Sequence, residues 1–72
     1  MTDEKFLKAL GLKVRDLRKA KKMTQIDLAK KIHVESPMVG RIERGLTNCT
    51  INTLRRLAKA LQVNTVELIN VE

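Results

Sequence analysis

Most side chains in this sequence that can do chemistry are cations, and one stretch sets them among residues able to read a polymer. Between Gln25 and Arg44 the chain presents Ser36, Pro37, Met38, Gly40, Arg41 and Arg44 in the gaps between apolar positions. An arginine placed like Arg41 can donate two hydrogen bonds to O6 and N7 of a guanine, a contact worth roughly 1–3 kcal/mol of discrimination. Ser36 can bond a base or a phosphate, and Pro37 and Met38 offer apolar contact to a thymine methyl. Gly40 costs a helix about 1 kcal/mol relative to Ala, which points to a close approach there, the groove floor being one candidate. Lysines and arginines elsewhere would neutralise phosphates and release counterions; Lys21 and Lys22, just before the second helix, are best placed to do so.

Other chemistry is poorly provided for. One His (His33) and one Cys (Cys49) can build neither a disulfide framework nor a four-ligand zinc site. No acid–base pair, metal cluster or phosphate-cradling glycine loop is present, so an enzyme, a cofactor and a metal are not expected. Cys49 reads as a small apolar loop residue and His33 as a turn residue. The 15 Lys plus Arg against 8 Asp plus Glu leave a net charge of +7, which asks for a polyanionic partner. With Phe6 the one aromatic residue, the chain lacks the stacking platform used on single strands, which favours double-stranded DNA. Charge alone leaves an anionic membrane or an acidic protein open. No apolar run is long enough to span a bilayer, and charges run throughout Met1 to Ala20, so the expectation is a cytoplasmic protein with no membrane segment.

Seventy-two residues make one domain, residues 1–72, with no room for a deep cleft beside a core and hence no small-molecule ligand expected. Hydrophobic periodicity predicts an all-α chain of five helices without strands. Phe6, Leu7, Leu10, Val14 and Leu17 share one face of the first helix, capped by Thr2 or Asp3. Gly11 sits mid-helix, where a neighbour could approach closely. Thr24 to Asp27 form a capping box with Met23 and Leu28 as its staple, and Leu28, Ala29 and Ile32 form the apolar face of the second helix. Ser36-Pro37 opens the third helix, with Val39 and Ile42 inward and Gly45 as a left-handed end. Thr50 caps the fourth, with Ile51, Leu54, Leu57, Ala58 and Leu61 on its core side. Asn64 to Glu67 form a second capping box, stapled by Val63 and Leu68. A helix-turn-helix over about 24–44 follows, since small Ala29 lets two short helices cross steeply and the outer face of the second enter a major groove.

Over nearly its full length the chain resembles the helix-turn-helix family of phage repressors and Cro proteins, the XRE family. The residues that carry the resemblance are Leu17-Arg18, Met23-Thr24-Gln25, Asp27-Leu28-Ala29, Val39, Ile42-Glu43-Arg44-Gly45, Asn48, Thr50-Ile51, Thr53-Leu54, Leu57-Ala58, Ala60-Leu61 and Val66-Glu67-Leu68. Its size is similar to that of stand-alone members, including controller proteins of restriction–modification systems. The resemblance implies a compact five-helix, lambda-repressor-like domain. It implies that Gln25 bonds a phosphate and braces a recognition-helix side chain, and that Arg18 and Glu43 form an internal salt bridge with the arginine still near the DNA backbone. It places Ser36, Pro37 and Arg41 among base-reading side chains and Asn48 in a phosphate-touching loop. Thr24 and Arg44 join Arg18, Lys21, Lys22, Gln25 and Asn48 as candidate backbone contacts.

Three positions depart from the family pattern. His33 stands where the turn has Gly, Glu35 where the recognition helix has a Ser or Thr cap, and Cys49 where the loop has Pro. Ser36 is therefore expected to take over the cap and move the helix start by one residue. The leading expectation is a sequence-specific regulator that binds duplex operators as a homodimer, with 36–44 in the major groove, half-sites about one helical turn apart and Val66, Ile69 and Val71 as candidate interface residues. The alternative is an antitoxin-like module whose main partner is a toxin; a basic membrane binder using the first helix is a third reading. Arg55, Arg56 and Lys59 are either a solvated face or outer phosphate contacts.

Overall fold

The computed structural model describes residues 2–71, and among them five helices and no strand. These are α1 (Asp3–Ala20), α2 (Gln25–Ile32), α3 (Ser36–Glu43), α4 (Ile51–Ala60) and α5 (Thr65–Ile69). Local sequence sets each start. The Thr2 side chain accepts from the Lys5 N–H, Thr24 and Asp27 complete a reciprocal capping box, and Thr50 accepts from the Thr53 N–H. Donation from Thr24 holds the Asp27 carboxyl below its usual pKa range. At α5 half of the expected box forms: Asn64 accepts from the Glu67 N–H at 2.6 Å.

The start of α3 corrects one expectation. Glu35 occupies the cap position in extended backbone and makes no side-chain cap bond, and Ser36 is already the first helical residue. The helix start is therefore not shifted. Pro37 falls in the first turn, where the missing N–H has no intrahelical partner to lose.

Four helices end alike, each on a left-handed residue followed by an N–H that reaches back five residues: Met23 to Arg18, Val34 to Ala29, Leu46 to Arg41 and Val63 to Ala58, at 2.9–3.1 Å. The left-handed residues are Lys22 (φ 57°), His33 (φ 61°), Gly45 (φ 72°) and Gln62 (φ 60°). Three of the four therefore bear a Cβ where that conformation costs about 1–2 kcal/mol. His33→Gly is expected to raise stability by roughly 0.5–1 kcal/mol once glycine's larger unfolded-state entropy is subtracted. Thermal unfolding followed by circular dichroism checks this; an unchanged or lower midpoint would mean that the His33 ring contributes more than its backbone costs.

The core is Leu10, Val14, Leu28, Ala29, Ile32, Val39, Ile42, Leu54, Leu57, Ala58, Leu61 and Leu68, drawn from all five helices. Ile51 does not belong to it. The residue lies on the core side by periodicity, but it opens α4 in a turn that overhangs the packed region, and 70% of it is exposed. Against this core α2 and α3 pack on each other, α1 crosses α3, and α5 closes over α4 and α1.

Candidate nucleic-acid interface

The outward face of α3 is narrow. Pro37, Arg41 and Arg44, spaced four and three apart, are exposed, while Val39, Gly40, Ile42 and Glu43 are buried. Ser36 and Met38 flank the face and are half-buried, Met38 packing against the core. Three of the six residues expected to face solvent are thus corrected: Gly40 is buried, and Ser36 and Met38 are half-buried. An eight-residue helix packed on both α1 and α2 keeps only about a third of its circumference free, and Met38 and Gly40 fall on the two edges of the buried part. Gly40 does mark a close approach, but inside the protein: a Cβ there would lie 3.2 Å from Nη1 of Arg44 and 3.7 Å from Oε1 of Gln25.

Beneath that face lies a polar knot. Arg18 donates through Nε to Oε2 of Glu43 at 2.6 Å, through Nη2 to Oε1 at 3.1 Å and through Nη1 to the Met23 carbonyl at 2.8 Å. Gln25 donates through Nε2 to Oε1 of Glu43 at 3.0 Å. One carboxylate thus ties α1, the start of α2 and the end of α3. Burial pushes the Glu43 carboxyl up, but the bonds from Arg18 and Gln25 and the charges of Arg18 and Arg15 outweigh it and hold the pKa below its usual range. The hydrogen bonds that Arg18 donates to Glu43 outweigh the opposing cost of burial and raise the Arg18 pKa above its already high value.

Arg18 is 8% exposed and all three of its nitrogens are engaged, so its place is in the knot and not on the outer surface. Gln25 braces Glu43 through Nε2 at the exposed start of α2, and among the described residues its Oε1 has no hydrogen-bond donor. Thr24, Lys22 and Asn48 are exposed. The Lys21 ammonium donates to Oε1 of Gln62, which turns it toward the end of α4 and away from α3. The residues that sequence reasoning passed over are Arg15 and Lys19, exposed on α1 and lining one cleft of about 280 Å³ with Gln25, Gly40 and Arg44. Their spacing around Arg18 was the available signal, since a residue three before and one after a buried arginine borders the same contact.

Elsewhere Cys49 is a half-buried free thiol whose pKa is pushed up by burial, the reverse of an activated nucleophile. Among the described residues no group of three or more His, Cys, Asp or Glu could hold a metal, and no helix is long and apolar enough to cross a membrane. Val66 is 72% exposed and Ile69 lies beside it on the outer side of α5, whereas Val71 is half-buried next to Leu12 and Ala9 of α1.

A packed α2–α3 pair, braced from below by the Arg18–Glu43–Gln25 bonds and carrying Arg41 and Arg44 on its outer face, defines a helix-turn-helix domain. The chain belongs to the helix-turn-helix family: that family's model (HTH_3) matches residues 14–68. It is 30% identical over 63 residues to an immunity repressor protein of Bacillus phage phi105, covering 88% of this chain and 44% of the repressor, so it spans less than half the length of that relative. Its fold is similar to that of the restriction-modification controller protein C.AhdI from Aeromonas hydrophila, with a TM-score of 0.83 and 35% identity over 86% of this chain and 94% of the other. It is also similar to the clp gene regulator ClgR from Corynebacterium glutamicum, with a TM-score of 0.85 and 25% identity over 89% of this chain and 68% of the other. The all-α, five-helix architecture and the resemblance to phage repressors read from the sequence are both borne out. Family and fold are those of transcriptional regulators.

Proposed function

We propose that the chain is a sequence-specific double-stranded DNA-binding transcriptional regulator that acts as a homodimer, with α3 in the major groove of each operator half-site. The observation that carries this reading is the free face of α3: Pro37, Arg41 and Arg44 project from a helix whose opposite side is fixed by Glu43, Arg18 and Gln25. Arg41, at the centre of that face, is the base-reading cation, with Ser36 and Pro37 beside it toward the helix start. Lys22, Thr24, Gln25, Arg44 and Asn48 contact the backbone. The names of the relatives, an immunity repressor and a restriction–modification controller, support a regulatory role. Such work places the protein in the cytoplasm, with the DNA.

Two or three base-reading residues specify too little sequence for one copy alone. Exposed Val66 and Ile69 on α5 supply an apolar strip for a second copy, with Val71 half-buried against α1. A twofold pair would set its α3 helices on half-sites roughly 34 Å apart. A gel-shift titration against sequences selected from a random duplex pool tests the whole reading; no duplex binding at low salt would refute it. On a selected site, Arg41→Ala is expected to lose about 1–3 kcal/mol of preference at one base pair while non-specific affinity falls little. Equal loss on all sequences would move Arg41 to the backbone contacts.

A further inference from the structure

We propose that the groove between the end of α2 and the outer side of α4 is a docking site for an acidic protein segment, on a surface separate from the one given to DNA. Lys31, His33, Arg56, Lys59 and Gln62 line it around a volume of about 390 Å³, and all five are exposed. Lys21 joins them from the end of α1, its ammonium donating to Oε1 of Gln62. Four cations thus gather at one place, and no acid lines the groove. Among the described residues the ion pairs are Lys8–Glu4 and Arg18–Glu43, so none of the four has a carboxylate within ion-pair distance. Like charges gathered in this way repel one another, and an anionic partner that covers them relieves the repulsion.

The backbone points to the same groove. His33 and Gln62 hold the left-handed conformation at φ 61° and φ 60°, where a Cβ is a burden that glycine avoids, as Gly45 does at the end of α3. Both strained turns nevertheless keep polar side chains, and both side chains line this one groove. Strain kept at two turns distant in sequence and joined in space is what a binding site retains at the expense of stability. The floor selects the occupant. Half-buried Ala60 lines this groove, and half-buried Val63 lines the neighbouring one across the Arg56–Lys59 ridge. A protein segment can set carboxylates against Lys31, Arg56 and Lys59 while an apolar side chain rests on Ala60; a phosphodiester chain has nothing apolar to lay there. Arg56 and Lys59, three apart on α4, match carboxylates one helical turn apart on a partner. Position agrees as well: α3 packs on α1 and α2, whereas α4 packs on α2 and α5, so α2 stands between this ridge and the face given to DNA.

The test uses a fluorescein-labelled helical peptide with Glu residues four apart and one Leu per turn, titrated by anisotropy, with a Gln-for-Glu peptide as its control. Arg56→Gln/Lys59→Gln is compared with Lys5→Gln/Lys19→Gln, which loses the same charge from exposed positions on α1; circular dichroism verifies both folds. The groove variant is expected to bind the Glu peptide roughly tenfold more weakly, two exposed ion pairs at the upper part of their range, and the α1 variant close to wild type. A further variant, His33→Gly/Gln62→Gly, removes no cation; it is expected to unfold at a higher temperature than wild type and to bind the Glu peptide several-fold more weakly. A Glu peptide held no better than its Gln control, or weakened equally by both charge variants, would overturn the site. So would undiminished peptide binding by the glycine variant. A mixed-sequence duplex, titrated in parallel, separates the partners: if the groove variant loses duplex affinity as strongly as peptide affinity, the ridge is a DNA surface and the acidic segment is refuted. Failure of wild-type protein to bind any duplex would refute the DNA reading alone and leave this site standing.

Discussion

Glu43→Ala is expected to cost about 3–5 kcal/mol of folding stability, because it leaves the Arg18 guanidinium buried without its carboxylate. A domain of this size has only roughly 4–11 kcal/mol to lose, so the variant should be unfolded or close to it at physiological temperature. The pair does not owe its presence to a large net gain: an apolar pair of similar volume is often neutral or stabilising by about 1–4 kcal/mol. Arg18→Met/Glu43→Leu should therefore recover most of the loss, less about 1 kcal/mol for the Met23 carbonyl that Arg18 no longer meets. Urea titration of the two variants separates the cases. If the double variant is as unstable as the single one, the knot is a net source of stability and the desolvation argument fails here.

The same pair sets a pH dependence of known sign. The Glu43 pKa is lower folded than unfolded, so the unfolded chain binds the extra proton as pH falls. The stability that the carboxylate contributes is complete above its unfolded pKa of about 4.3 and is lost as pH drops through the lower folded value. Wild-type protein should hold a flat midpoint from neutrality to about pH 5 and then decline, more steeply than Arg18→Met/Glu43→Leu, which lacks this titration. The double variant should also bind duplex DNA less well despite its fold, because Gln25 loses the acceptor that braces it.

Capping chemistry made the architecture legible. Thr24 with Asp27, Thr50 and Asn64 announce helix starts, and Gly45 a helix end, because short-range hydrogen bonds decide those positions. What stayed hidden depends on crossing angles. Met38 and Gly40 lie on the outside or the inside of α3 according to how far α1 and α2 wrap around it, and periodicity within eight residues cannot fix that. Lys21 and Lys22 look equivalent in sequence, yet Lys21 donates to Gln62 while Lys22 takes the left-handed backbone that ends α1. Arg15 and Lys19 resemble any solvated lysine-rich face until α3 is placed beside them.

Gly11→Ala and Gly40→Ala are the same substitution, each in a helix and at a buried position, and they should move stability in opposite directions. Helix propensity alone favours alanine at both by about 1 kcal/mol. At Gly40 the new methyl group meets the end of the Arg44 side chain, which can swing aside, so most of that gain should appear. At Gly11 it meets backbone: the Glu43 carbonyl oxygen at 2.6 Å and its carbon at 2.8 Å, with the Ile42 oxygen nearer still. Neither helix can yield locally, because the end of α3 is also pinned by Gly45 against the Lys8 backbone and by Glu43 on Arg18. Overpacking of cores costs about 1–3 kcal/mol and more where the obstacle is rigid, so Gly11→Ala should lose about 3 kcal/mol net. Because the contact sets the distance between α1 and α3, any Gly11→Ala protein that folds should also hold Arg15 and Lys19 further from Arg44 and bind duplex DNA more weakly. Chemical denaturation of both variants, with anisotropy titrations on the folded fraction, checks the pair. A stabilised Gly11→Ala protein would mean that the two helices can part without loss, and that their close approach is not what positions the recognition helix.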